Sequence, residues 1–224
     1  MIPQIPLALQ AEIKAFIVAA CRRGERIWRN FAFEEDSITG AFLSKFETDV
    51  QYKKIDNQLW TWNVDYLKFR GRGPGAFENI HGSDGIFQIE VKNEFDKIIF
   101  SKGLLFQAKK VNGSLTDLKP QVQQMEKLVP NSSVAFIYGP EGFKATLGRD
   151  IVSQVTKKNS FMFEKDIANV LANDFLDCSV GKVGLIFDYG QGKLFVIDEF
   201  GLSKRMIGLQ RPKENVIIEI QRLR

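Results

Sequence analysis

The chain has 224 residues, 44% of them hydrophobic and 19 of them Phe, so it can bury a substantial core and is not a disordered segment. Its 31 basic and 27 acidic side chains leave a formal charge of +4, mildly basic and compatible with a polyanionic partner. Cys21 and Cys178 lie far apart and form no CxxC, which excludes a metal–thiolate site and fits a reducing cytoplasm. No apolar run approaches the ~20 residues that span a bilayer, so no membrane partner is expected.

The first residues lack a basic leader, and Gln10, Glu12 and Lys14 interrupt their apolar pattern, so they do not read as a signal peptide. Pro6 to about Arg29 instead reads as an amphipathic helix, with Ile13, Phe16, Ile17, Ala20 and Ile27 near helical spacing. Its other face carries Arg22, Arg23, Arg26 and Arg29, either a solvated surface or a phosphate-contacting one. A second helix is expected over Glu34–Phe46, burying Ile38, Phe42, Leu43 and Phe46. Glu35 and Thr39, at i and i+4, share one face of it.

From Leu59 to Phe69 the chain alternates as a strand. The run from Arg70 to Gly75 then breaks regular structure. It lacks the GK[ST] ending of a nucleotide-binding loop; Arg70 and Arg72 make it either a basic loop touching a backbone phosphate or a plain connector. Glu78 and His81, the only histidine, precede an apolar stretch, Asp84–Val91. A second stretch, Gly103–Lys109, follows a polar link at Asn93–Lys102.

Beyond Lys110, the turn Asn112-Gly113 and a cap at Ser114 open a helix to about Leu128, ended by Pro130. Strands are expected at Ser133–Tyr138, Phe143–Leu147, Val183–Phe187, Lys193–Asp198 and Val216–Gln221, with a helix at Phe163–Cys178. This order predicts one α/β domain over residues 1–224, a mixed central sheet flanked by helices. Helices fill residues 1–50, the core of the sheet 59–138, and a further helix and strands 139–224.

The chemistry-bearing residues lie on the two apolar stretches. An Asp oxygen and a Gln carbonyl both suit a hard cation that prefers oxygen donors and keeps several waters. Lys109, two residues past Gln107, shares its strand face and can orient a metal-bound water or neutralise phosphate charge. Pairing the two stretches across the polar link sets Asp84 opposite Lys109 and Gln107 opposite Ile86. Glu90-Val-Lys92 is a formal ExK, but Glu90 lies roughly 20 Å from Asp84 along one strand at about 3.3 Å per residue, too far for one ion.

Asp84, then Gln107-Ala-Lys109, resembles the site of the PD-(D/E)xK nuclease superfamily. The likeness is to the branch in which Gln replaces the second acid, as in Mrr-like restriction and anti-phage nucleases. The resemblance implies a restriction-endonuclease-like fold and Mg²⁺- or Mn²⁺-dependent phosphodiester hydrolysis. It implies DNA rather than RNA as substrate, defence against foreign DNA as role, and a homodimer or partner subunit as a compatible assembly. It further implies Glu35 as a third metal ligand, Glu78 as an acid beside the site, and Gln121 or Gln124 facing it. The neutral Gln107 departs from the commoner acidic pattern and removes one negative charge from the metal shell. An RNA-cleaving effector with the same site, or a non-catalytic binding domain, are the alternatives.

Overall fold

The computed structural model describes residues 2, 4–28, 34–68, 77–111, 117–153, 165–198, 203–208 and 212–223. Helix α1 (Leu7–Glu25) and helix α2 (Glu35–Leu43) lead, the latter closed by a 3₁₀ turn at Ser44–Phe46. Strands β1 (Thr48–Ile55) and β2 (Gln58–Lys68) then form a hairpin. Its two-residue turn, Asp56-Asn57, has positive φ at both positions, as a turn matching strand twist requires. A short helix α3 (Phe77–His81) introduces β3 (Gly85–Lys92) and β4 (Ile98–Lys110). Helix α4 (Leu118–Leu128), β5 (Ser133–Gly139), β6 (Gly142–Leu147) and α5 (Gly148–Ser153) follow. Next come β7 (Lys165–Asp166) and helix α6, α-helical over Ile167–Asn169 and π-helical over Val170–Phe175. Strands β8 (Lys182–Val183), β9 (Leu185–Asp188), β10 (Lys193–Ile197), β11 (Lys204–Gly208) and β12 (Glu214–Arg222) complete the described elements.

The fold is mixed α/β. A large sheet runs β1-β2-β12-β3-β4-β5-β6-β7 with β8 on β4, and a small sheet runs β11-β10-β9. Strand β12 lies between β2 and β3, antiparallel to the first and parallel to the second. Strands β4 and β5 are also parallel.

Period-two alternation sorts the two faces of the large sheet. Phe87, Phe106, Phe136 and Tyr138 pack against α1 and α2. Ile86, Leu105, Ala135 and Ile137 pack against α4 and the small sheet. Phe42 of α2 is the hub of the first layer: fully buried, it meets Phe46 and Phe143 at 5.4 Å and Tyr138 at 5.9 Å between ring centroids. It also fills the space over Gly24, where an added Cβ would sit 2.3 Å from its ring. Phe42→Ala is therefore expected to cost about 3–5 kcal/mol in urea unfolding; a loss below about 1 kcal/mol would show that this layer is not the core.

Several expectations are corrected. Strand β4 begins at Ile98, so the link is the tight turn Asn93–Lys97, where Asn93 Oδ1 accepts from the N–H groups of Phe95 and Lys97. Gly85 pairs with Phe106, which sets Asp84 beside Phe106–Ala108 rather than opposite Lys109. The first helix stops at Glu25, and β1, α3, α5 and β11 stand where no element was expected. The Arg70–Gly75 loop, with Arg70 and Arg72, lies outside the described residues, as do Arg29 and the Ser114 cap. Among the described residues no helix is long and apolar enough to cross a membrane.

Candidate functional site

Strand β3 starts at Gly85, while β4 runs on to Lys110. The β3-side edge of β4 is consequently open over its last residues. Its N–H groups at alternate positions point the same way, roughly 6.6 Å apart, and need acceptors. Two carboxylates supply them. Asp84 Oδ2 accepts from Ala108 N–H at 2.8 Å, and Glu35 Oε2 accepts from Lys110 N–H at 3.0 Å. Glu35 Oε1 also meets Lys109 Nζ at 3.3 Å. Asp84 and Glu35 thus bracket the Gln107-Ala-Lys109 segment through its own backbone.

Gln107 is fully buried, and its Nε2 reaches only Ala108 O, at 3.4 Å. Its Oε1 has no hydrogen-bond partner among the described residues. A buried amide oxygen left in this state costs about 1–3 kcal/mol and is free to accept from, or ligate, an incoming group. Asp84 shows the same tension. Burial, reinforced by the nearby Glu78 charge, pushes its carboxyl up to about 7, against the pull of Ala108 N–H, Lys109 and Lys213.

Glu78 stands on α3 and accepts from Gln121 Nε2 on α4 at 3.2 Å, so these two meet on the α4 side. Gln124 is exposed on α4. The Thr39 hydroxyl donates back to the Glu35 carbonyl at 2.9 Å, a local helix bond. His81 packs on Phe77, ring centroids 4.8 Å apart, and against Gly208. Glu90 is buried well along β3, takes a hydrogen bond from Gln88 and neighbours Glu219, apart from Asp84. Arg23 is engaged elsewhere, donating to Lys45 O at 2.9 Å and lying over the Phe16 ring. Arg22 and Arg26 are exposed on α1.

Two residues beside Asp84 escaped the sequence reading. Lys213 enters just before β12 and pairs with Asp36 of α2. Burial alone would lower its pKa, but Asp36, Asp84 and Glu78 together hold it above the usual lysine value. Glu214, fully buried, donates its backbone N–H to Asp84 O at 3.0 Å. Its side chain turns to the α2 face, where Tyr66 Oη donates at 2.5 Å and Lys68 Nζ lies at 3.2 Å. No motif could have found either residue, because their place depends on β12 inserting beside β3.

The donor set fits a hard cation that keeps most of its water: an Asp carboxylate and the unmatched Gln107 oxygen, with Glu35 beside them. Among the described residues no three His, Cys, Asp or Glu side chains converge on one point, so water or substrate oxygens would complete such a shell. Comparison of the chain with protein-family models, curated proteins and solved structures returned no match, and the site stands on its own geometry.

Proposed function

We propose that the chain is a metal-dependent phosphodiesterase with a restriction-endonuclease-like fold, acting on DNA. The observation that carries this reading is the open edge of β4. There, Asp84 and Glu35 take the Ala108 and Lys110 N–H groups, Glu35 also holds the Lys109 ammonium, and the neighbouring buried Gln107 carries an unmatched oxygen. Asp84 and Gln107, with Glu35, would hold Mg²⁺ or Mn²⁺. Such an ion polarises a phosphoryl oxygen and lowers the pKa of bound water toward neutrality. Lys109, fixed by Glu35, sets a positive charge beside the reacting phosphate and offsets the charge that develops on its oxygens. Lys213, close enough to Asp84 and Glu78 for their charges to interact, balances the acids there. Glu78 and Gln121, hydrogen-bonded to each other, line the α4 side and orient water.

The test is incubation of the purified chain with plasmid DNA and with a structured RNA in Mg²⁺, Mn²⁺ or EDTA. Cleavage of DNA is expected with either metal and none in EDTA. Lys109→Ala should lower the rate about 10²–10³-fold at unchanged melting temperature. Cleavage of RNA alone would favour the RNA-cleaving alternative. If neither polymer is cut, or Lys109→Ala cuts at the wild-type rate, the reading fails.

A further inference from the structure

Two clefts run along the exposed side of α1. The first, about 520 Å³, is walled by Lys14, Arg22, Arg23 and Arg26 over a floor that includes Val18 and Ala19. Among the described residues no acidic side chain lines it. The second, about 670 Å³, shares Arg22 and Arg26 and continues past Trp28 to the β5–β6 turn, where Glu25 and Glu141 also stand. Arg22 and Arg26 border both clefts, which lie next to each other along one trough-like stretch of α1. Lys14 and Arg23 are tethered, to Asp177 and to the Lys45 carbonyl, and Glu25 accepts from Phe143 N–H. The Arg22 and Arg26 side chains have no ion-pair or hydrogen-bond partner among the described residues.

The trough ends near the candidate site. Gly139 lines the second cleft, and a Cβ on it would meet Val111 at 3.3 Å. Val111 follows Lys110 at the end of β4 and donates its N–H to Tyr138 O. The end of β4 and the second cleft thus meet at the Gly139 turn.

We propose that this trough binds a single-stranded polynucleotide, its phosphates on Arg22 and Arg26 and a base against Trp28. The proposal deepens the phosphodiesterase reading and rests on it for the chemistry at β4. Charge complementarity selects a polyanion. Recessed, basic, aromatic-edged grooves suit a single strand, whose bases can splay onto a ring. A duplex carries its phosphates on a convex cylinder and would meet this trough only at its lip.

The experiment measures anisotropy of fluorescein-labelled oligo(dT), oligo(rU) and a duplex of equal length, all in EDTA so that no chemistry occurs. At least one single strand is expected to bind tenfold or more tightly than the duplex, and the tighter of the two identifies the polymer. Arg22→Glu with Arg26→Glu should weaken that binding at least tenfold and flatten its salt dependence by about 1.4 in log–log slope, at roughly 0.7 per phosphate. Lys54→Glu with Lys97→Glu, both exposed and lining neither cleft, makes the same change in net charge and should cost less than about threefold. Equal or tighter duplex binding, no binding of either single strand, or equal effects of the two reversals would each overturn the proposal. The two readings fail separately: expected binding without cleavage in Mg²⁺ sinks only the phosphodiesterase, and cleavage with unaltered binding by the arginine variant sinks only the trough.

Discussion

Asp84→Asn is expected to abolish metal-dependent cleavage and, in the metal-free protein, to raise the melting temperature by several degrees at pH 8. Asp84 is buried, and its carboxyl is pushed up to about 7 by burial and by Glu78. In the unfolded chain it titrates near 3.9. As pH rises through about 4 the unfolded chain releases this proton while the folded chain keeps it. Stability is therefore lost progressively from about pH 4 to about pH 7, and the full penalty persists above that. Asparagine carries no such charge and still offers an oxygen to Ala108 N–H. The gain should amount to a few kcal/mol, at roughly 2–4 °C of melting temperature for each. Melting in EDTA across pH 4.5 to 8 measures it directly: the difference between variant and wild type should widen with pH and level off near 7. A variant equally stable or less stable at pH 8 would mean that the carboxylate is already satisfied without a cation. With Mg²⁺ present, the wild type should be stabilised and the variant not.

Gln107→Leu is expected to act in the same direction through a different group. The substitution removes an unmatched amide oxygen from a fully buried position, at the loss only of the long Nε2 contact to Ala108 O at 3.4 Å, and fills similar volume. Replacing an unsatisfied buried polar group by an apolar one of like shape is neutral or stabilising. The metal-free leucine variant should therefore melt at or above the wild-type temperature, yet lose both the Mg²⁺-induced shift and cleavage, by at least about 100-fold. Gln107→Glu should do the reverse. A second acid beside Asp84 and Glu78 repels without metal, but binds the ion more tightly and retains cleavage. Isothermal titration with Mn²⁺ and a plasmid assay separate these outcomes. Wild-type cleavage by the leucine variant would remove Gln107 from the metal shell and leave Asp84 and Glu35 as ligands beside Lys109.

The residues of the candidate site were legible because their spacing along β3 and β4 is local, whereas their mutual placement was not. A two-residue error in register left the side-chain alternation intact, since period two survives an even shift. It hid the open edge of β4, on which the proposal rests. Strand β1 is not evident in the sequence because Thr48–Ile55 is a mostly exposed edge strand with no buried face. The start of β4 was missed because Ile98 and Ile99 are exposed and flanked by charge. Helix α3 is only five residues long, below the reach of periodicity. Val216–Gln221 read correctly as a strand, but nothing local says that it enters between β2 and β3. Lys213 and Glu214 were invisible for that reason.

The central position of β12 has a consequence for synthesis. Residues 92 and 222, the ends of β3 and β12, are separated by 130 positions. At typical elongation rates of about 5–20 residues per second, β3 leaves the ribosome on the order of ten seconds before its neighbour β12 is finished. During that interval β2 and β3 expose unpaired edges, and Asp84 lacks Glu214 and Lys213 beside it. A nascent chain thus carries Asp84, Gln107 and Lys109 together well before it can assemble the pocket around them. Strand insertion acts as a delay on maturation, and also makes the half-made sheet the stage most exposed to edge-to-edge association.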